Sequence, residues 1–418
     1  GDVQAMRELD SLMMANEDWY GLKDILSRLQ PLVDSEEWAE LQYRLAKLHE
    51  DDDQLADIGE AIRCHEALLA RFPDHEDAID SLEAIITERD EREQAFEVLR
   101  PVLAASEAWE RLWAQYQVLA HHSADDPHQL LGRLHEMAAL ADGELADPPR
   151  AYQALDRAFR SNPRHSETVE KLEALSKREG ILESLVALYH EIAEDTDDDL
   201  ALQLRLRTGA FLMEDLNEAE RAIAVYITIR EDDPDHLEAL SRLAQLYRQQ
   251  SLGAELADIL RCQADVHHEP GTKIGLLTEL ATVKEQQLGD PSGAHDAYGE
   301  ILDIDRTEQG AITALHRLAS EGVHPLDIAE RLESIYTESE RWPDLHGLLE
   351  IKLNAVNDDG DRLELSRQLA ELNLGKLDDK ANAITWYGRS LLLDPDDTFL
   401  LEQVTKLTEE TEAWSALR

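Results

Sequence analysis

The stretch that decides the fold is Arg221-Ala222-Ile223-Ala224-Val225-Tyr226-Ile227-Thr228-Ile229-Arg230-Glu231-Asp232-Asp233-Pro234. Ala222 and Tyr226 stand four apart, on one face of a helix. The small side chain lets a neighbour approach closely, and the large one fills the neighbour's groove. Pro234, twelve residues after Ala222, cannot continue the helix and sets its end. Glu218, four residues before Ala222, stands where a carboxylate satisfies free amide groups and complements the helix dipole.

Working outward, the same spacing recurs along the chain. Leu, a gap of one, an acid, a gap of three and Ala occur as Leu55–Asp57–Ala61, Leu145–Asp147–Ala151, Leu216–Glu218–Ala222, Leu288–Asp290–Ala294 and Leu377–Asp379–Ala383. Four residues after each Ala comes His65, Leu155, Tyr226, Tyr298 or Tyr387. Twelve after it comes Pro73, Pro163, Pro234, Arg306 or Pro395, so only Arg306 departs from proline. Three spacings fixed over five copies identify an internal repeat.

A second signature is a bulky residue followed by apolar positions at +3, +6 and +7. It reads Trp19-Leu22-Ile25-Leu26, Phe96-Leu99-Val102-Leu103, Leu182-Leu185-Leu188-Tyr189 and Trp342-Leu345-Leu348-Leu349. A degenerate copy starts at Gly253, and a last one, Trp414 to Leu417, meets the end of the chain. The steps from Ala151 to Ala222 and from Ala222 to Ala294 are nearly equal. Those from Ala61 to Ala151 and from Ala294 to Ala383 are both longer. The longer steps predict one extra helix each, near Trp109–His121 and Asp327–Glu338. Modules of about four helices then fall at 17–91, 92–178, 179–250, 251–339 and 340–412. With no Gly/Ser linker, they read as one continuous array, an excerpt of a longer one.

This pattern resembles the tetratricopeptide repeat, in which Ala, an aromatic four later and Pro twelve later close a helical hairpin. The resemblance is closest at 221–234, where Ala210 also precedes Ala222 by twelve, and weaker elsewhere. It implies an all-α fold, a right-handed superhelical α-solenoid of about 22–24 helices, whose first helices line a concave groove. On the family's geometry, groove positions fall at three fixed offsets upstream of each repeat Ala. These are Tyr43, Ala46 and Glu50; Leu204, Arg207 and Phe211; Leu276, Glu279 and Val283; and Leu365, Gln368 and Leu372. An alternative is that these side chains pack on neighbouring helices. The set lacks the repeated Lys/Asn pattern with which the family clamps a terminal carboxylate, so an amphipathic or extended peptide suits it better. Arg205 and Arg207 stand out as rare positive charge.

Motifs for chemistry are missing from the sequence. It has no Gly-rich phosphate loop, no Gly-x-Ser-x-Gly and no Cys-x2-Cys. His-Glu pairs occur, but none has the second His four residues on that a helical zinc site needs. Asp195-x-Asp197-x-Asp199 opens like a calcium loop, but Leu200 and Leu206 occupy the places of its essential Gly and Glu. With Asp51–Asp53 and Asn357–Asp361 it reads as a solvated turn, able at most to hold a divalent ion weakly. His121, His122, Asp125, Asp126 and His128, with His135 beyond, have donor chemistry for zinc or nickel but lie in a predicted polar turn. His75, His165 and His236 each follow a repeat Pro by two and read as part of the turn. Cys64 and Cys262 read as small reduced core residues. Trp19, Trp109, Trp342 and Trp414 read as packing residues. Trp38, Trp113 and Trp386 are expected to be partly exposed, with Trp386 a candidate partner contact. No catalytic residue, metal or cofactor is expected.

The chain has 418 residues, 90 acidic and 40 basic, and a formal net charge of −50. Hydrophobic residues make up 43%, enough for a core. The charge excludes a nucleic-acid binder and disfavours an anionic membrane, and no apolar run is long enough to span a bilayer. Ten lysines stand against 30 arginines, a bias shared by salt-adapted proteins and GC-rich genomes. The expected function is a soluble, non-catalytic scaffold, of bacterial origin, binding a protein or peptide in the groove or on the convex face. An acidic chaperone or nucleic-acid mimic holding a basic protein is the alternative; a small-molecule substrate is not expected. The expected compartment is the cytoplasm, with the periplasm as the alternative.

Overall fold

A computed structural model describes residues 2–411. Among them are 23 α-helices and no strand. The chain divides into two compact units, residues 1–204 and 205–418.

The first unit opens with α1 (Asp2–Ala15), α2 (Trp19–Leu29), α3 (Ser35–Glu50), α4 (Ile58–Leu69) and α5 (Glu76–Glu88). It continues through α6 (Arg92–Ala105), α7 (Trp109–His122), α8 (Pro127–Gly143), α9 (Pro148–Ser161), α10 (Ser166–Glu179) and α11 (Leu182–Glu194). The unit boundary falls within α12 (Asp198–Ala210), which runs on into a single π-helical turn, Phe211–Asp215. The second unit holds α13 (Ala219–Asp232), α14 (Leu237–Gln250), α15 (Gly253–Val266), α16 (Pro270–Gln286), α17 (Pro291–Ile304) and α18 (Gln309–Ser320). After them come α19 (Pro325–Glu338), α20 (Trp342–Ala355), α21 (Asp359–Gly375), α22 (Lys380–Leu393) and α23 (Thr398–Thr411). Each long step holds one helix more than the short ones, and α7 and α19 stand at the two places named from the sequence. Within each unit the helices pack against their neighbours in sequence, most extensively α3 on α4, α8 on α9, α15 on α16, α16 on α17 and α21 on α22.

The repeat residues do what their spacing requires. Ala61, Ala151, Ala222, Ala294 and Ala383 are all buried, and so are His65, Leu155, Tyr226, Tyr298 and Tyr387 one turn later. The repeat acids stand at the N-caps of α4, α9, α13, α17 and α22. Asp57, Asp147, Asp290 and Asp379 each accept the amide of the third residue on. Glu218 makes no such bond; its longer side chain pairs with Arg221 instead. Two residues after the proline position, the next helix is capped by a side chain in every copy. His75, His165 and His236 accept through Nδ1 from Ala78, Thr168 and Ala239, and Glu308 and Asp397 do the same with a carboxylate. The recurrent histidines are therefore acceptors at helix starts.

Two regularities are invisible to composition. First, four helices start at one fixed offset from a repeat Ala: α6 after Ala61, α11 after Ala151, α15 after Ala222 and α19 after Ala294. Trp414 holds the same place after Ala383, and it lies with Leu417 outside the described residues. Second, the residue before each cap acid is left-handed: Ala56, Ala146, Asn217, Gly289 and Asp378, with φ from 48° to 62°. Glu17, Glu107, Gly180, Ser251 and Glu340 do the same two residues before Trp19, Trp109, Leu182, Gly253 and Trp342. Only two of these ten are glycine, so the usual marker of a helix C-terminus is missing from the other eight.

Arginines tie each helix to the next but one. In the first unit Arg44 reaches Asp10 at 2.8 Å, Arg89 reaches Asp52 at 2.8 Å and Arg160 reaches Glu191 at 2.6 Å. In the second, Arg248 reaches Glu279 and Arg261 reaches Glu300, both at 2.8 Å. The planar, forked guanidinium suits such bridges between helices better than lysine does, a structural reason for the arginine bias.

Candidate functional site

Each predicted groove helix has its own N-cap acid: Asp34 for α3, Asp126 for α8, Glu269 for α16 and Asp358 for α21. Asp197 does the same at the start of α12, accepting from Leu200 at 3.0 Å. The step from Asp126 to Ala151 is kept unchanged from Asp197 to Ala222, Glu269 to Ala294 and Asp358 to Ala383. From Asp34 to Ala61, in the first copy, it is longer by two. The backbone locates the surplus. In four copies the repeat Leu donates to the carbonyl five residues back, as Leu145 does to Leu140. The acid after it donates six back, as Asp147 does to Ala141. In the first copy Leu55 reaches back seven residues to Leu48, and Asp57 eight to His49. The two surplus residues fall in the acidic turn Asp51-Asp52-Asp53-Gln54.

This turn borders a cavity of about 660 Å³ in the first unit. Its apolar side is made by Leu22, Leu48, Ile58 and Ile85, with Met14 of α1 at one end. Tyr43, Arg44 and Lys47 enter from α3, and Glu88 and Arg89 from α5. Every cation there is already held: Arg44 by Asp10, Lys47 by Glu50 and Arg89 by Asp52. Asp51 accepts from the Asp53 amide at 2.9 Å and from Gln54 at 2.8 Å, fixing the turn. The wall is built from Tyr43, whose ring lies 6.0 Å from His65 and 5.4 Å from His75. The buried His65 ring meets Glu50 at 2.5 Å. Burial pushes the Glu50 carboxyl up, but hydrogen bonds from His65 and Lys47 outweigh it and hold the group below its ordinary value.

Tyr43 thus lines the cavity, but not as the counterpart of the other groove candidates. The insertion displaces the first copy by two, so Leu41, Arg44 and Leu48 correspond to Leu204, Arg207 and Phe211. Counted this way, seven of the eight outer positions are buried, namely Leu41, Leu48, Leu204, Phe211, Val283, Leu365 and Leu372, and the eighth, Leu276, is half-buried. The middle positions reach the surface. Arg207 is exposed, while Glu279 and Gln368 are half-buried, Glu279 against Arg248 and Gln368 beside Glu364. Arg205 is not open charge, since Asp232 holds it at 2.6 Å.

The expected exposure of Trp386 is overturned. It is 5% exposed, covered by the Arg389 guanidinium 4.3 Å over its ring and by the His346 ring edge-on at 6.3 Å. Trp113 is buried too, and only Trp38 of the three is half-exposed. Trp19, Trp109 and Trp342 are half-buried at the helix starts. Cys64 is a core residue whose thiol burial pushes up to about 11, whereas Cys262 is half-buried beside Arg230.

The acids singled out for metals have structural duties. Asp126 caps α8, Asp358 caps α21, and Asp197 and Asp199 are held by Arg164. Among the described residues no group of three His, Cys, Asp or Glu converges on a point that could hold a metal. No described helix is long and apolar enough to cross a membrane.

No family model matches the sequence, and no curated protein matches it. Among solved structures it is similar to a chain of the Naa15/Naa10 assembly bound to HypK-THB, with 13% identity and a TM-score of 0.32. That match covers 100% of this chain and 62% of the other, so this chain spans less than two thirds of its length. It is also similar to a tetratricopeptide repeat protein from Parabacteroides merdae ATCC 43184, with 15% identity and a TM-score of 0.27 over 67% and 98% of the two chains. For the TPR domain of P58(IPK) the values are 15% and 0.21, over 99% of each chain. The fold itself rests on the hairpins: a helical-repeat array resembling the tetratricopeptide kind.

Proposed function

We propose that the protein is a non-catalytic interaction scaffold whose partner contact in the first unit is the groove formed by α1, α3 and α5. One observation carries this reading: the 660 Å³ cavity lies at the two-residue insertion, where the first copy departs from a spacing kept by the other four. A repeat that serves only to stack has no use for the extra turn. An apolar floor with a few fixed polar groups at its edge is the ordinary make-up of a binding cleft. The groove has the shape for an extended or helical segment of a protein partner.

The reading is tested by filling the groove. Ala84 lines it and is exposed, so Ala84→Trp occupies the space without entering the core. Affinity capture with the unaltered chain and with this variant, from the source organism, is compared protein by protein. The expected outcome is that one or more partners are lost with Ala84→Trp and kept by a variant on the second unit, Leu392→Ser. An identical set of captured proteins removes the groove from the account.

A further inference from the structure

We propose that the groove of the first unit takes an extended cationic segment, with apolar side chains on its floor and lysine or arginine at the acidic turn. This rests on the groove reading and names the partner's chemistry. The argument is a count of what the fold has already used. Arg44, Lys47 and Arg89 are the cavity's cations, and each is spent on a carboxylate of the protein itself. An anionic ligand would have to displace those carboxylates, two of which approach their arginines with both oxygens.

The acids are not all spent. Asp52 and Glu50 neutralise cations, and Asp51 closes the turn on itself. Asp53 and Glu88 face the same cavity, are exposed, and have no hydrogen bond or ion pair from their side chains among the described residues. The turn that holds the insertion therefore presents an open carboxylate, Asp53, to a cavity that a second, Glu88 of α5, also lines. In an extended peptide successive side chains point to opposite faces. Alternating apolar and basic residues would then meet Leu48, Ile58 and Ile85 on one side and Asp53 and Glu88 on the other. Exposed charges of this kind add modest affinity individually but set the sign of the preferred partner.

The experiment uses the full chain and three fluorescent hexapeptides, in which leucine alternates with arginine, serine or glutamate. Anisotropy titrations at about 0.15 M salt keep bulk attraction screened. The arginine peptide is expected to bind most tightly and the glutamate peptide not to bind. Asp53→Asn with Glu88→Gln should weaken the arginine peptide about tenfold. Asp396→Asn with Glu402→Gln removes the same charge from exposed positions of the second unit and should change its binding less than twofold. Ala84→Trp should abolish it. Equal weakening by both charge pairs would mean attraction to the overall charge and overturn the proposal. Tighter binding of the serine or glutamate peptide, lost with Ala84→Trp, would overturn the cationic preference and leave the groove reading intact. Binding of all three that ignores Ala84→Trp would sink both.

Discussion

The ring of Tyr226 lies against Gly209, so close that a Cβ on the glycine would come within 2.5 Å of the ring's Cζ. Tyr226 is only 1% exposed, so its ring has no room to withdraw. Gly209→Ala should therefore destabilise the protein by about 1–3 kcal/mol, despite alanine's better helix propensity. Urea unfolding of this variant and of Gly209→Ala with Tyr226→Leu gives the check. The second change should recover part of the loss, and strict additivity would count against the packing explanation.

Capping separates Asp147 from Glu218, which hold the same repeat position. Asp147 accepts the amide of Arg150 at 3.1 Å, whereas Glu218 makes no cap bond. Asp147→Ala is expected to cost about 1 kcal/mol and Glu218→Ala well under half of that. Matched thermal melts would show it, and equal losses would contradict the difference in geometry.

Ala56 and Ala146 hold left-handed backbone, with φ of 49° and 48°. An L-residue with a Cβ is strained there, by about 1 kcal/mol relative to glycine. Ala56→Gly and Ala146→Gly should each raise stability by a few tenths to about 1 kcal/mol, offset partly by greater freedom of the unfolded chain. At Gly289, with φ of 62°, the reverse change should destabilise. A lowered urea midpoint for either Ala→Gly variant would refute the strain.

Stability should fall as the medium becomes mildly acidic. Burial lowers the pKa of His49, His135 and His316 from the ordinary 6.5; nearby Lys23 adds to this at His49 and Lys171 at His135. Between 6.5 and the lowered folded values the unfolded chain binds protons that the folded chain refuses. Stability is thus fully present above about 6.5 and lost as the pH falls below it. Urea midpoints at pH 7.5 and 5.5 measure the loss. Both ring nitrogens of His49 are buried without a hydrogen-bond partner. His49→Leu should shrink the difference, and an unchanged slope would argue against this source.

Added salt should raise the melting temperature. With 90 acids against 40 bases, screening relieves more repulsion than it costs in exposed ion pairs, each worth about 1 kcal/mol or less. A melting temperature that stays flat or falls between about 0.02 and 1 M NaCl would speak against self-repulsion as a governing term.

Most of the fold is legible in the sequence because the repeat is written in side chains that cannot be exchanged freely. Ala61 and its four counterparts must be small, Tyr226 and its counterparts must fill space, and Pro234 and its like must stop a helix. The left-handed turns are not legible, because Ala56, Asn217 and Asp378 carry that conformation without glycine to signal it. Trp386 misleads because its exposure depends on Arg389 and on His346, forty residues back, and not on its own helix face. The groove register slips in the first copy because counting backwards from Ala61 crosses the inserted turn. Counting forwards from Asp34 places Arg44 opposite Arg207 and marks Asp51–Gln54 as holding the surplus.

The insertion also bears on how such a chain can change. Directly downstream of it the local spacings are restored: Ala61 is buried, His75 caps α5, and α6 starts on schedule. A repeat array touches mainly its nearest neighbours, so two added residues are absorbed where they arise. A new surface can thus be tried in one module while the others keep their stability, and lost again as easily. In a protein with one shared core the same two residues would have been felt everywhere.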